Sequence, residues 1–414
     1  MWRIESAKLI GGLARIVRDV GLAEELAQDA LVAALERWPE SGVPDNPGAW
    51  LMAAAKNRAV DHFRRQERLA RKREELGHEF EIEQRTASSD FGGDVGDGDD
   101  LGDDVLRLMF VACHPVLSTD ARVALTLRLL GGLTTKEIAR AFLVPEPTIA
   151  QRIVRAKRTL SESDVTFEVP QGAELTARVA SVLDVLYLVF NEGYSATTGD
   201  DWMRPALCQE ALRLGRVLAA LMPQEPEVHG LVALMEIQAS RSAARTGPNG
   251  EPILLLDQDR VRWDQLLIRR GLAALEQAQE LGGLGPYGLQ AAIAACHARA
   301  RTADETDWPA IAALYAALAQ LTPSPVVELN RAVAVAMAFG PANGLELVDE
   351  LTAEPALAAY HLLPSVRGDL LARLGRYAEA VQEFDRAASL TRNGRERGLL
   401  RERAVTCAKR AAGG

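Results

Sequence analysis

Residues 131–160, GGLTTKEIARAFLVPEPTIAQRIVRAKRTL, decide how the chain is read. They spell two short helices joined by a tight turn. Thr134-Thr135-Lys136-Glu137 is a capping box: the Thr134 hydroxyl takes an orphan backbone N–H while Glu137 reaches back. Ile138 and Phe142 face inward at helical spacing. Pro145 closes the turn, and Pro147 suits the first position of the next helix, where a missing N–H costs nothing. On that second helix Ile149, Ile153, Ala156 and Leu160 share one side; Thr148, Gln151, Arg152 and Arg155 share the other. The plain reading of this second side is a solvated basic face. The sharper one is a recognition helix, because Arg bonds guanine edges and Gln adenine edges in the major groove.

The bulk numbers bound the rest. At 414 residues the chain is too long for one core, so two to three domains are expected. Ala, Leu, Glu and Arg dominate and β-branched runs are scarce, which predicts an all-α protein. The longest apolar run, Val179–Phe190, is too short to span a bilayer, and Met1-Trp2-Arg3-Ile4-Glu5 begins no signal peptide. Cys113, Cys208, Cys296 and Cys407 are scattered with no CxxC pair, so neither a zinc site nor a disulfide framework is expected; a reducing cytoplasm fits. Cys113-His114 lacks further ligands nearby, so no metal is expected, and His114 is assigned to capping or packing at its turn.

A net charge of −10 looks wrong for a nucleic-acid binder until its distribution is read. Lys56–Arg73 carries eight basic and two acidic residues, and so does Arg122–Arg158. Between them Glu74–Asp104 carries twelve acids and one Arg. Within it, Gly92–Asp100 has little to bury and repels itself, so a disordered tether is expected. An acidic mimic of nucleic acid is the alternative role.

Helices are read at Leu9–Val20, Ala23–Trp38 and Ala49–Arg65, with a Pro/Gly loop at Pro39–Gly48. On the second, Leu26, Ala30 and Ala33 form one packing face and Leu31, Leu35 and Trp38 an adjoining one. On the third, Leu51, Ala55 and Val60 pack inward. Two more helices, Val105–Ala112 and Asp120–Leu130, support the helix-turn-helix. AEELAQDALVAALERW, the loop, and AWLMAAAKNRAVDHFRR together resemble region 2 of bacterial sigma factors of the extracytoplasmic-function (ECF) group. Thr134–Leu160 resembles region 4 of the same group. The two blocks stand in the right order, with a linker and no region 3 between them.

That resemblance implies three surfaces. Glu24, Glu25, Gln28, Asp29, Leu31 and Glu36 would grip the clamp helices of the RNA polymerase core. Trp50, Lys56, Asn57, Arg58, Asp61, Arg64 and Arg65 would read the −10 element, with loop Ser41–Gly48 capturing an extruded base. Thr148, Gln151, Arg152 and Arg155 would read the −35 element, with Arg140, Lys157 and Arg158 on phosphate. The chain departs from the usual motif at Leu143, where Gly is expected in the turn; a left-handed residue there strains Leu.

Residues 171–414 read as helix after helix. LLARLGRYAEAVQEFDRAASL keeps tetratricopeptide spacing through Leu374-Gly375, Tyr377, Ala380, Phe384 and Ala387, with small residues where paired helices pack closely. Leu289–Thr302 with Trp308–Leu321, and Val327–Ala338 with Gly344–Leu351, look like degenerate copies. Val179–Arg216 looks like the extension of one ECF subgroup that appends a repeat-like helical domain. Asn191-Glu192-Gly193-Tyr194-Ser195 is read as a helix-ending turn with Gly193 left-handed. Trp202, Trp263, Tyr315 and Tyr360 are assigned to the core, and Asp257–Arg260 lacks the pattern of a calcium loop.

The expected organisation is thus a region 2 bundle at 1–73, an acidic linker at 74–104, a region 4 unit at 105–165 and a tetratricopeptide-like domain at 171–414. The expected function is a sigma factor that does no bond chemistry and needs no cofactor. Its partners would be core polymerase, promoter DNA, and a protein or small ligand on the C-terminal domain. The alternative is a helix-turn-helix regulator with a repeat-type sensor that is no sigma subunit.

Overall fold

The computed structural model describes residues 2–76, 99–142, 144–163, 165–195, 203–248 and 251–412. Gly92–Gly98 of the expected tether, Leu143 and Trp202 lie outside them. Every regular element among the described residues is helical.

Eight helices come first: α1 (Trp2–Val17), α2 (Val20–Ser41), α3 (Pro47–Leu76), α4 (Asp99–Ala112), α5 (Thr119–Leu129), α6 (Thr135–Phe142), α7 (Glu146–Glu162) and α8 (Gly172–Tyr194). α1 stops earlier than the sequence suggests, because Arg18 turns left-handed (φ 53°) and Asp19 caps α2 by accepting from Leu22 N at 2.8 Å. Asn46 accepts from Ala49 N at 3.0 Å at the start of α3. α3 then runs past Arg65 to Leu76: the apolar period ends, but Arg, Lys, Glu and Leu are strong helix formers. Likewise α4 begins at Asp99, inside the stretch read as linker.

The first core joins Leu13, Leu26, Ala30, Leu51, Ala55, Leu108 and Met109, all buried. α4 lies along α1 rather than beside α5 alone, and Gly11 makes this possible. A Cβ there would stand 2.7 Å from the Asp104 carbonyl oxygen. Buried Asp104 pairs with Arg15 at 3.3 Å and Arg107 at 2.8 Å. The first half of α8 covers α4 and α5. Arg178 donates to the Phe110 carbonyl at 2.7 Å, Ser181 donates to the Cys113 carbonyl at 2.6 Å, and Arg122 donates to Ser181 Oγ at 2.6 Å.

By contact the chain divides into two units, Met1–Val185 and Leu186–Gly414, with the division falling inside α8. The second unit contains α9 (Pro205–Leu221), α10 (Pro226–Ser240), α11 (Gln265–Glu280), α12 (Pro286–Arg299), α13 (Trp308–Leu321), α14 (Pro325–Phe339), α15 (Pro341–Leu351), α16 (Leu362–Arg373), α17 (Tyr377–Leu390) and α18 (Gly394–Ala412). α10 is buried on all sides between α9, α11 and α12. At the α10/α12 crossing, a Cβ on Gly230 would meet Gly288 N at 2.7 Å. Glu227 of α10 accepts from the backbone N–H of Tyr287 (2.8 Å) and Gly288 (3.1 Å), so a carboxylate of one helix caps the positive end of another.

The last helices stack as antiparallel hairpins. Gly368 of α16 faces the Phe384 ring, Gly375 supplies the left-handed turn (φ 77°), and Ala380 and Ala387 are fully buried beneath. The α14/α15 pair crosses at Gly344, where a Cβ would lie 2.4 Å from the Ala336 Cβ.

The turn expected at Asn191–Ser195 also differs from the sequence reading. Gly193 is not left-handed; α8 continues through it to Tyr194. The residue has to be small because its absent Cβ would sit 2.6 Å from Cys208 N on α9. Glu192 and Arg204 form an ion pair beside it. Gly193→Ala should therefore destabilise the chain by about 1–3 kcal/mol. Gly398→Ala, on a helix face with nothing within 4 Å, should be neutral or stabilise by about 0.5–1 kcal/mol. Urea melts of the two variants, followed by circular dichroism, check both signs.

Candidate nucleic-acid interface

The capping box at α6 forms as the sequence implies: Thr134 N donates to Glu137 Oε2 at 2.8 Å and Glu137 N donates to Thr134 Oγ1 at 3.2 Å. α7 begins at Glu146, one residue early, so Pro147 occupies its second position. Buried Ile149, Ile153, Ala156 and Leu160 anchor it on α5 and α6. Thr148, Gln151 and Arg155 are exposed on the opposite side. Arg140 on α6 is exposed as well.

Arg152 is half-buried and ion-paired with Asp120 Oδ2 at 2.9 Å. A cleft of about 410 Å³ separates this side of α7 from the start of α5, with Ser118 and Asp120 facing Thr148, Gln151 and Arg155 across it. Asp120 is 69% exposed, so the pair contributes little to stability and orients the guanidinium without locking it. Arg158 bonds exposed Glu162 at 2.6 Å, and the bond raises its pKa.

Two cations on α7 and α5 turn inward instead. Lys157 is not turned outward: its ammonium lies 2.5 Å from Glu24 Oε2. Arg128 on α5, not singled out in the sequence, donates to Glu24 Oε1 at 2.6 Å. Glu24 itself is only 4% exposed. It thus leaves the outward acidic face to which the sequence assigned it and joins α2 to α5 and α7.

The remainder of that face is open. Glu25, Gln28, Asp29 and Glu36 are exposed and Leu31 is half-buried. Leu35, read as a packing residue, is 66% exposed, and neighbouring Val32 is 51% exposed. The face is therefore acidic with an apolar stripe. The signal was present in the helical spacing of Leu31, Val32 and Leu35, but a stripe alone does not say which side is covered.

On α3, Asn57, Asp61, Arg64 and Arg65 are exposed; Lys56 and Arg58 are half-buried. Val60 is half-buried, and Ala59 takes the packing position beside Leu51 and Ala55. Arg58 lies 3.8 Å from Asp29. Trp50 is half-buried, with its ring 5.5 Å from Trp38 in an edge contact.

Cys113 and His114 make protein contacts. Burial pushes the Cys113 thiol up to about 11, against the opposing pull of its bond to Thr126 (3.3 Å), and the thiol is inert near neutrality. His114 Nδ1 accepts from Val116 N at 3.1 Å, a local cap, and burial lowers its pKa. Burial likewise lowers the Arg178 pKa, opposed by Glu174. Among the described residues no three His, Cys, Asp or Glu side chains cluster as metal ligands, and no helix is long and apolar enough to cross a membrane.

Two small bundles thus present exposed cationic helices, in chain order, beside an acidic-apolar face. The sigma-70 region 2 family matches residues 4–69 and the sigma-70 region 4 family matches residues 107–160. A family of unknown function (DUF6596) matches residues 178–279. The chain is 32% identical over 158 residues to the ECF RNA polymerase sigma factor SigK of Mycobacterium ulcerans, covering 37% of this chain and 78% of that protein. It is 26% identical over 168 residues to the probable ECF sigma factor SigI of Mycobacterium tuberculosis, covering 41% and 56% respectively. An uncharacterized protein of Rhizobium meliloti is 44% identical over 393 residues, 95% of this chain and 91% of its own length. No solved structure matches the chain at a significant level.

The chain belongs to the ECF sigma factors of the sigma-70 family. The reading as a helix-turn-helix regulator outside that family is not favoured, because the region 2 match covers the block such a regulator does not need.

The buried Glu24 cluster yields a direct test. A double-mutant cycle of Glu24→Gln and Arg128→Gln in the full chain should return a coupling of about 1–3 kcal/mol in urea melts. Coupling near zero would show that the two groups do not meet in solution.

Proposed function

We propose that this sigma factor recognises its promoter through two surfaces and seats itself on core polymerase through a third. Thr148, Gln151, Arg152 and Arg155 read the −35 element in the major groove, while Arg140 and Arg158 hold phosphates. Trp50, Lys56, Asn57, Arg58, Asp61, Arg64 and Arg65 act on the −10 element. Glu25, Gln28, Asp29, Leu31 and Glu36, joined by Val32 and Leu35, contact the polymerase clamp helices. The observation that supports this best is exposure: most of these side chains lie open, and Leu31, Trp50, Lys56, Arg58 and Arg152 are half-buried, on helices whose other faces are buried. Sigma factors as a family are not enzymes, and we assign no catalytic role to the C-terminal helices. They modulate the sigma domains, either by blocking them or by completing them.

The promoter reading is tested by transcription from a −35/−10 promoter with purified core polymerase and no other sigma factor. Gln151→Ala and Arg155→Ala should each weaken the −35 contact by about 1–3 kcal/mol and relax base preference there. Arg158→Ala should weaken binding on every sequence alike and lower the salt slope by about 0.9. Charge reversal at Arg64 and Arg65 together with Arg152 and Arg155 should abolish start-site selection.

Where the tail is cut matters. Ending the chain at Ser161 removes the Arg178 and Ser181 bonds to Phe110 and Cys113, whereas ending it at Val185 keeps them. The shorter fragment should lose region 4 order and −35 binding; the longer should retain both. Limited proteolysis and promoter footprinting compare the two, and the longer fragment then reports whether the remaining helices inhibit or are required.

A further inference from the structure

The second unit holds a cavity of about 430 Å³ between the end of α8 and helices α10, α12, α13 and α14. That volume suits a small organic molecule. Its wall is aromatic and aliphatic: Tyr187, Phe190, Tyr194 and Tyr315 supply the rings. Among the lining residues there is one cationic side chain, Arg241, and there is no Asp or Glu.

Arg241 is half-buried and held in place. It bonds the Tyr194 hydroxyl and Gln238 Oε1, both through Nη2, and lies over the rings of Tyr194 and Trp263 at 5.7 Å. The donors on Nε and Nη1 stay available. His297 lines the same wall, is 8% exposed, and its buried Nδ1 has no hydrogen-bond partner. An unpaired buried polar atom carries a desolvation cost that a bound partner would remove. Burial, with Arg241 and Arg260 close by, pushes His297 down to about 4, so the imidazole is neutral at physiological pH and can donate through Nδ1. Burial also pushes the Tyr315 phenol up to about 12, which keeps its O–H as a donor.

We propose that this cavity binds a small aromatic monocarboxylate, its ring among the tyrosines and its carboxylate on Arg241 and His297. Within the lining Arg241 is the one cation beside neutral donors, which matches one negative charge, while Arg245 and Arg260 are held on the Tyr194 and His297 carbonyls; a phosphate dianion would be left half-neutralised. The binding is independent of the promoter reading and is measured on the full chain without polymerase or DNA.

The probes are salicylate, 4-hydroxybenzoate and indole-3-acetate, each paired with its uncharged amide and with phenyl phosphate as the dianionic comparison. Isothermal titration and thermal-shift measurements should show one site per chain for at least one carboxylate. Its amide and phenyl phosphate should bind at least tenfold more weakly. Arg241→Gln should weaken the carboxylate at least tenfold, and Arg241→Lys should restore part of the affinity. Asn330→Trp, at the exposed rim, should block binding while leaving the unfolding midpoint unchanged. Failure of all three carboxylates at millimolar concentration overturns the proposal, as does amide or phenyl phosphate binding of equal strength. So does carboxylate binding that survives both Arg241→Gln and Asn330→Trp.

Discussion

A single buried carboxylate fixes the sigma half of the molecule. Glu24 is almost wholly removed from water, yet two cations from two other helices meet it, Arg128 from α5 and Lys157 from α7. Taking a lone carboxylate out of water costs several kcal/mol, and only close partners offset it. α2 and the α5/α7 pair therefore cannot take arbitrary relative positions while Glu24 is buried. Buried Asp104 ties α4 to α1 in a related way, pairing with Arg15 of α1 and with Arg107 of its own helix. A joint made of ions differs from one made of leucines. When it opens, its charges regain hydration, so the net cost of separating the bundles is small beside the local strength of each pair. The fold joins α2 to α5 and α7 with a fastening that water can replace.

The second unit solves a different problem with a different device. Its helices are rich in alanine, and alanine buries little area per contact. Compensation comes from close approach, which Gly193, Gly230, Gly288, Gly344 and Gly368 permit at their crossings. Backbones brought this near leave helix ends to be satisfied by neighbours, as Glu227 does for α12. The same tight spacing is relaxed around the Arg241 cavity, where four bulky rings hold α8, α10, α12 and α13 apart.

Much of this was legible in the chain. Helix identity followed from composition and period, and the capping box and the Leu374–Ala387 spacing located two hairpins closely. The two basic blocks, Lys56–Arg73 and Arg122–Arg158, fell on α3 and on α5–α7, overlapping the two sigma-70 region matches, despite a net charge of −10. What was not legible depends on partners distant in sequence. Glu24 and Glu25 are equivalent on paper, one turn from the same cap, and only the arrival of α5 and α7 separates their fates. Gly193 reads as a stop signal because it follows Asn191-Glu192 and precedes Tyr194; the reason it is glycine lies on α9, at Cys208. Leu35 has the spacing of a core residue, and nothing local says that no helix covers it.

The charge pattern carries one more consequence. Each bundle places an acid against an arginine proposed above to contact the promoter: Asp29 near Arg58 at 3.8 Å, Asp120 on Arg152 at 2.9 Å. Both acids are exposed, so water and salt screen these pairs, and each is worth little to folding. Their effect is on selection. On that reading, a phosphate row must displace the acid before it gains the arginine, which weakens non-specific binding at every site. A correct base edge offsets that loss with a bidentate bond that a phosphate contact alone does not supply. On the proposed promoter reading, discrimination thus comes in part from residues that also make the net charge negative.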